Sequence, residues 1–134
     1  MIFNTELVPL AVSGYDPEDP DSFILKVTVK GNLSLENANE MSLLSKIMIK
    51  GGMKRIMFNM EHLTYIDSSG IGLIIQLRKL LKAASGDFAL LNVSPKINEA
   101  FDLVNLKEYV TIFYSESKAV DYFKNRRLER QTKQ

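Results

Sequence analysis

The 134-residue chain contains no cysteine and no tryptophan, and His62 is its single histidine. Without cysteine there can be no disulfide framework, no thiolate metal site and no cysteine nucleophile. One histidine also argues against a metal cage built from imidazoles. We therefore expect no metal site, no cofactor and a reducing compartment.

Long apolar runs and an excess of one charge are lacking as well. No apolar stretch approaches the roughly 20 residues of a membrane-spanning helix. Glu6 and Pro9 interrupt the apolar N-terminal stretch, which no basic residues precede, so it is unlike a secretory signal. The 17 basic and 16 acidic side chains nearly balance, whereas nucleic-acid binding needs many cations. We expect a cytoplasmic protein with no direct nucleic-acid partner and no membrane partner.

The near-neutral total hides two charged clusters. Residues 124–134 carry five cations and one anion, so this tail has a formal charge of +4 and the remainder of the chain −3. The acidic cluster is interleaved with two prolines, a pattern typical of an exposed loop. Charge runs usually mark solvated surface only, and the role of both clusters is left open. The acidic residues are Asp16, Glu18, Asp19 and Asp21.

A composition of 46% hydrophobic and 25% charged residues is typical of a globular domain. Short apolar runs alternate with segments whose apolar residues recur at helical spacing. Strands are predicted at residues 7–12, 23–29, 55–60, 88–91 and 109–114. Helices are predicted to begin near Ser34, after Asp67, at Ser94-Pro95 and from Ser115, with Gly51-Gly52, Gly86 and Asn105 at the ends of the first three.

Strands that alternate with amphipathic helices predict parallel pairing through right-handed crossovers. The predicted fold is a single α/β domain with a mixed, mostly parallel sheet of about four or five strands and about four helices packed mainly on one face. Residues 1–123 are predicted to form the domain and residues 124–134 a basic C-terminal helical extension or tail. In such a sheet, sites lie in loops beyond the carboxyl ends of strands, where residues 67–70 are placed.

The segment Asp67-Ser68-Ser69-Gly70 joins a predicted strand to a predicted helix. Its simplest interpretation is a turn in which a side chain caps the free N–H groups of the helix. Serine catalysis would need a nearby base, for which His62 held by Asp67 is the local candidate, and the Gly-x-Ser-x-Gly pattern is absent.

Two further interpretations involve phosphate. A phosphate-binding glycine loop is weakly supported, because Gly70-x-Gly72 lacks the third glycine of a dinucleotide fingerprint. Phosphorylation of a serine here is better supported, because helix N–H groups and the helix dipole stabilise the added charge. Ile71 and Ile75 flank the segment and could offer a partner apolar contact.

The run Asp67-Ser68-Ser69-Gly70-Ile71-Gly72 resembles the signature of bacterial anti-sigma factor antagonists of the STAS family. Residues 23–33 resemble the family's early strand, which ends in a Gly-x-Leu turn. Many members carry an acidic residue after this turn, and the acidic side chain could contact the partner. The present chain has Ser34 at this position and lacks that contact. A third set of residues resembles the family's third-helix region: Asn92-Val93-Ser94-Pro95, Phe101-Asp102-Leu103 and Leu106.

The resemblance implies a non-enzymatic protein that binds an anti-sigma factor, itself a serine kinase, and so releases a sigma factor for transcription. It implies that the kinase phosphorylates Ser69 and thereby breaks the complex, and that a serine phosphatase of the phosphatase 2C type resets the switch. The resemblance implies that Asp67 and Ser68 form the turn. It also implies that Gly70 and Gly72 allow close approach of the partner, and that Ile71 and Ile75 provide apolar contact.

Two alternatives stay open. The first is a STAS scaffold or transporter-associated regulatory module in which Ser69 is not phosphorylated, because the same fold serves in stress-sensing assemblies and as a transporter module. A hydrolase that uses Ser69 with His62 is the other. The sigma factor, the kinase, the signal and the oligomeric state are not specified by the sequence.

Overall fold

A six-stranded mixed sheet forms the centre of the structure, a computed structural model that describes residues 2–10 and 22–132. Four helices surround the sheet, so the predicted α/β class is confirmed. A short 3-10 helix at Leu106–Glu108 precedes the last strand. The elements are β1 (Ile2–Pro9), β2 (Phe23–Leu33), α1 (Leu35–Lys50), β3 (Arg55–Asn59), β4 (Leu63–Ile66), α2 (Ser68–Ala83), β5 (Asp87–Leu91), α3 (Pro95–Leu103), β6 (Thr111–Phe113) and α4 (Glu116–Thr132).

The strand order is β1-β2-β3-β5-β6, with β4 paired to β2 off this path. Only the β1–β2 pair is antiparallel among the described strands, and the remaining pairs are parallel. Strands β3 and β5 are buried along their whole length, as expected for parallel strands covered on both faces. The carboxyl ends of β2 and β4 therefore meet at one edge of the sheet, next to the starts of α1 and α2.

The helices divide unequally between the two faces. Side chains of α1, α2 and α3 share the larger core cluster, in which Phe58 and Phe101 are fully buried. Helix α4 covers the other face, where Ala119 and Phe123 pack with Met57 in a smaller cluster. The prediction of helices mainly on one face is confirmed, with α4 as the exception.

The sixth strand, β4, is absent from the sequence prediction. It has four residues, of which Thr64 and Tyr65 are exposed, so it lacks the apolar run of a buried strand. It exists because β2 is long enough for two neighbours: Leu25–Thr28 pairs with β3, and Gly31–Leu33 pairs with β4. Gly31 has a φ of +86° where the β2–β4 register shifts, a backbone conformation that glycine adopts without steric cost.

Two predicted strand boundaries are wrong. The first strand covers Ile2–Pro9 instead of residues 7–12, because each of these residues pairs with β2 whatever its polarity. Residues 11 and 12, like the acidic loop at 16–21, lie outside the described residues. The last strand is Thr111–Phe113 instead of 109–114, since the N–H groups of Tyr109 and Val110 donate back to the Leu106 carbonyl.

The predicted helix ends are largely confirmed. Gly51 caps α1, Ser94 caps α3 by accepting from the N–H of Ile97 at 3.3 Å, and Asn105 is left-handed with a φ of 55°. Gly86 differs in its role. Ser85, with a φ of 61°, supplies the left-handed residue after α2, whereas a Cβ on Gly86 would clash with the Lys54 carbonyl.

Candidate functional site

The predicted site segment lies where β4 ends and α2 begins. Asp67 is the N-cap of α2, in extended conformation, and its carboxylate accepts hydrogen bonds from the N–H groups that follow. Oδ1 lies 2.9 Å from the nitrogen of Ser69 and 3.2 Å from that of Gly70. Two of the four free N–H groups at the start of the helix are thus satisfied by one oxygen.

The second carboxylate oxygen of Asp67 reaches another helix. Oδ2 accepts a hydrogen bond from the N–H of Leu35, the first residue of α1, at 3.0 Å. One carboxylate therefore holds the N-terminal ends of α1 and α2 together, and both helix dipoles favour its negative charge. This contact was missed by sequence reasoning because it depends on the unpredicted pairing of β4 with β2.

The pKa of Asp67 reflects these contacts. Desolvation by itself raises the pKa, but the hydrogen bonds from the N–H groups of Leu35, Gly70 and Ser69 outweigh it, and the pKa lies below its ordinary value of 3.8. Asp67 is consequently an anion throughout the physiological range.

The two serines differ in their surroundings. Ser68 is exposed and Ser69 is half-buried. Asp67 binds the backbone of Ser69 and leaves its hydroxyl without a hydrogen-bond partner among the described residues. The Ser69 hydroxyl is therefore not consumed by the cap and stays chemically available.

The two glycines of the motif have different roles. A Cβ on Gly70 would clash with the Leu33 carbonyl oxygen and lie 2.7 Å from Cγ1 of Ile66. Gly72 is exposed, and a Cβ there would meet nothing within 4 Å. Close approach inside the domain is thus a property of Gly70, which seats α2 on the end of β2.

A polar network organises the start of α1 beside this site. The N–H of Ser34 donates to Oδ1 of Asn37 at 2.9 Å, and the Ser34 hydroxyl donates to Oδ1 of Asn32 at 3.1 Å. The Asn37 amide donates to the carbonyl of Asn32 at 3.0 Å and to its Oδ1 at 2.8 Å. Ser34, which follows the Gly-x-Leu turn, is therefore engaged in hydrogen bonds within its own domain.

An apolar groove continues from the motif along α2. Ile71 and Ile75 are half-buried and pack against the main core with part of their surface. Gly72, Ile75, Gln76, Lys79 and Leu80 line a shallow groove of about 410 Å³. The Ser42 hydroxyl on α1 donates to Oε1 of Gln76 at 2.7 Å, so the groove lies beside the α1–α2 junction. All seven predicted site residues thus lie at the start of α2, but Gly70 is buried, and the residues that are exposed or half-buried are Asp67, Ser68, Ser69, Ile71, Gly72 and Ile75.

His62 has no part in this arrangement. Its Nε2 lies 3.9 Å from a carboxylate oxygen of Glu61, and the side chain is largely exposed. Both oxygens of Asp67 are bound to backbone N–H groups. Within residues 22–132, no hydrogen bond links His62 to Ser69 or to Asp67, so the geometry does not favour a serine–histidine nucleophile.

The described part of the chain lacks the features of two other classes of site. Residues 2–10 and 22–132 contain no group of three or more His, Cys, Asp or Glu side chains placed to hold a metal ion. None of the helices described there combines the length and apolarity needed to cross a membrane.

Comparison with known proteins gives consistent matches. The STAS domain family matches residues 17–119. An anti-sigma-B factor antagonist of Staphylococcus aureus is 29% identical over 87 residues, which are 65% of this chain and 81% of that protein. Sequence similarity therefore extends through the site segment into the helices on both sides of it.

Solved structures share the fold. The anti-sigma factor antagonist SpoIIAA of Bacillus, in its unphosphorylated form, has a TM-score of 0.68 at 24% identity, covering 90% of this chain and 95% of that one. Its phosphorylated form has a TM-score of 0.62, again at 24% identity, with 90% and 98% covered. A sulfate transporter family protein of Wolinella succinogenes has a TM-score of 0.65 at 17% identity, with 75% and 84% covered.

The family match spans most of the chain, and the observed strands and helices agree with those of SpoIIAA. The resemblance carried by residues 67–72 is thereby confirmed at the level of the family. This chain belongs to the STAS domain family and has anti-sigma factor antagonists among its relatives.

Proposed function

We propose that this protein is a cytoplasmic, non-enzymatic anti-sigma factor antagonist. Its unphosphorylated form binds an anti-sigma factor that is also a serine kinase, and phosphorylation of Ser69 ends the binding. The relatives named as anti-sigma factor antagonists support the general role. The observation that carries the switch is the cap geometry: Asp67 fixes the backbone of Ser69 while the Ser69 hydroxyl stays unbonded beside an apolar groove.

The electrostatics at Ser69 support phosphate as the signal. A phosphate adds about −1.5 to −2 charge, and here it joins the ionised Asp67 two residues away. The N–H groups of Ser69 and Gly70 are already bound by Asp67, so they are not free to neutralise the new charge. The phosphate therefore adds negative charge and bulk beside the groove, where it opposes docking of an apolar or acidic partner surface.

The proposed binding surface has a polar and an apolar part. Asp67, Ser68, Ser69 and Gly70 form the capped turn that the kinase must reach. Ile71, Gly72 and Ile75 extend the surface along α2, where the exposed backbone at Gly72 permits close approach of a partner. Reset requires removal of the phosphate, which we assign to a serine phosphatase of the phosphatase 2C type. We expect this chain itself to bind no cofactor.

The unit that performs this function is proposed to be residues 1–123, with residues 124–134 as an extension. The family match ends at residue 119, and Phe123 is a fully buried residue of the smaller core cluster. Helix α4 continues without interruption to Thr132, and Arg126 within the extension contacts Asp87.

A capture experiment tests the proposal. Immobilised wild type, Ser69→Ala and Ser69→Glu proteins are exposed to native cytoplasm, and Ser68→Glu serves as a control with the same charge one residue away. The wild type and Ser69→Ala proteins should retain an anti-sigma factor identified by mass spectrometry, whereas Ser69→Glu should not. Addition of ATP to the wild-type complex should place one phosphate on Ser69 and release the protein.

The fold of the Wolinella transporter relative favours one other candidate, a STAS module that acts as a scaffold or transporter regulator. In that case Ser69 acquires no phosphate, and the Ala and Glu variants capture identical partners. This result contradicts the switch.

A further inference from the structure

A second cleft lies at the opposite end of the sheet from Ser69. It has a volume of about 270 Å³ and lies between the C-terminal part of α2, the start of β5, the segment before β6 and the C-terminal half of α4. Helix α2 starts at Ser68 and rises about 1.5 Å per residue, so its last turns lie about 20 Å from the motif. The proposed switch does not involve this cleft.

Cations from three different elements line the cleft. Arg78 and Lys82 come from α2, Lys107 from the 3-10 helix and Arg126 from α4. The carboxylates among the lining residues are Asp87 and Glu108, so the wall carries a surplus of positive charge. A cation in the last turn of a helix is favoured by the helix dipole, but this accounts for Lys82 alone.

The cations differ in how far they are already neutralised. Arg126 Nε lies 3.1 Å from Oδ1 of the buried Asp87, and Lys107 Nζ lies 3.2 Å from Oδ1 of Asp102. In residues 2–10 and 22–132, no carboxylate lies within ion-pair distance of Arg78 or Lys82. Arg126 and Lys107 are thus paired with carboxylates, and Arg78 and Lys82 have charge to offer a ligand.

The remaining wall suits an organic group. Tyr109 lines the cleft with 47% of its surface exposed, and the Thr111 hydroxyl lies at the start of β6. An aromatic face beside cations can pack a ring or sugar while the cations hold an anion. We propose that this cleft binds a small phosphorylated compound, with Arg78 and Lys82 holding the phosphate and Tyr109 packing against the organic part.

The probes for the test are inorganic pyrophosphate, which carries charge alone, and adenosine 5′-diphosphate, which adds a sugar and a ring. Titration calorimetry measures affinity, and amide chemical-shift changes locate the site. Both probes should bind saturably and shift the amides of Arg78, Lys82, Gly86 and Thr111. Shifts confined to residues 68–72, or no saturable binding of either probe, overturn the proposal.

Three variants sharpen the result. The pair Arg78→Gln with Lys82→Gln should weaken both probes by about tenfold or more, because two charged hydrogen-bond donors are lost. Lys79→Gln is the control: it removes one positive charge from the same helix, but Lys79 lines the groove near the motif instead. It should change the affinity by less than about twofold, and an equal loss in this control overturns the assignment.

Tyr109→Ala separates the two parts of the ligand. It should weaken adenosine 5′-diphosphate by about threefold or more while leaving pyrophosphate unchanged. An unchanged affinity for both probes overturns the role of Tyr109. Since Lys82 and Tyr109 are exposed, these variants should fold, and circular dichroism verifies this.

Discussion

Asp67 accepts a hydrogen bond at 3.0 Å from the backbone N–H of Leu35, 32 residues earlier in the chain. The same carboxylate caps α2 through Ser69 and Gly70. A single side chain thus fixes the position of one helix start relative to the other, and the turn that carries Ser69 is held from two directions.

Replacement of Asp67 by alanine should lower the thermal midpoint by several degrees, because three backbone N–H groups at two helix starts lose their acceptor. Differential scanning calorimetry measures the effect. Glu99 is an exposed acidic residue of α3, so Glu99→Ala is a control that removes the same single negative charge. It should leave the midpoint nearly unchanged. An equal midpoint for both variants would show that the bridge contributes nothing to stability.

Acid should remove this stabilisation. The pKa of Asp67 is lower in the folded chain than its ordinary value of 3.8, so the ionised carboxylate stabilises the folded state above that value. The contribution is lost as the pH falls through the folded pKa. Urea unfolding from about pH 7 down to about pH 2.5 should therefore show the stability gap between wild type and Asp67→Asn narrowing only below about pH 4. A gap that closes at neutral pH contradicts the assignment.

The glycines of the motif should respond in opposite directions. Gly70→Ala places a Cβ against the Leu33 carbonyl and should destabilise the fold by about 1–3 kcal/mol. Gly72→Ala has open space and should stabilise α2 by about 0.5–1 kcal/mol, because glycine is a poor helix former. Chemical denaturation of the two variants provides the comparison, and equal effects would contradict this geometry.

Ser69→Ala should leave stability within about 0.5 kcal/mol of wild type, since Asp67 binds the backbone N–H of Ser69 and not its hydroxyl. The variant thus separates the proposed switch from the stability of the fold. A large loss of stability would mean that the hydroxyl has a structural role, and the capture experiment would then need a different blocking residue.

Arg126→Gln should destabilise the domain by about 1–3 kcal/mol, because it removes a charged hydrogen bond from the buried carboxylate of Asp87. Lys124→Gln removes the same charge two residues earlier in α4 and should cost less than about 0.5 kcal/mol. If both variants unfold alike in urea, α4 beyond Phe123 does not contribute to the fold.

The elements that the sequence predicted well are those with local signals. Gly51 ends α1, Ser94-Pro95 begins α3, and Asn105 takes the left-handed conformation after α3, each as its residue type favours. The motif at residues 67–72 was likewise found from residue types and spacing. These features depend on a few neighbouring residues, which is why sequence patterns reveal them.

The features that escaped prediction depend on distant partners. Strand β4 needs the far end of β2, and the Asp67–Leu35 bond needs β4. The distinction between Gly70 and Gly72 depends on the Leu33 carbonyl, which no local pattern encodes. The second cleft combines α2, α4 and the segment before β6, so its cations are scattered along the sequence.

The division of β2 between two neighbours has a consequence for the newly made chain. Gly31–Leu33 can receive β4 only after residues 63–66 have been synthesised and have folded back. Before that pairing forms, Asp67 has no Leu35 amide beside it. The junction of the two helix starts at Asp67 therefore forms only when β4 has paired with the far end of β2.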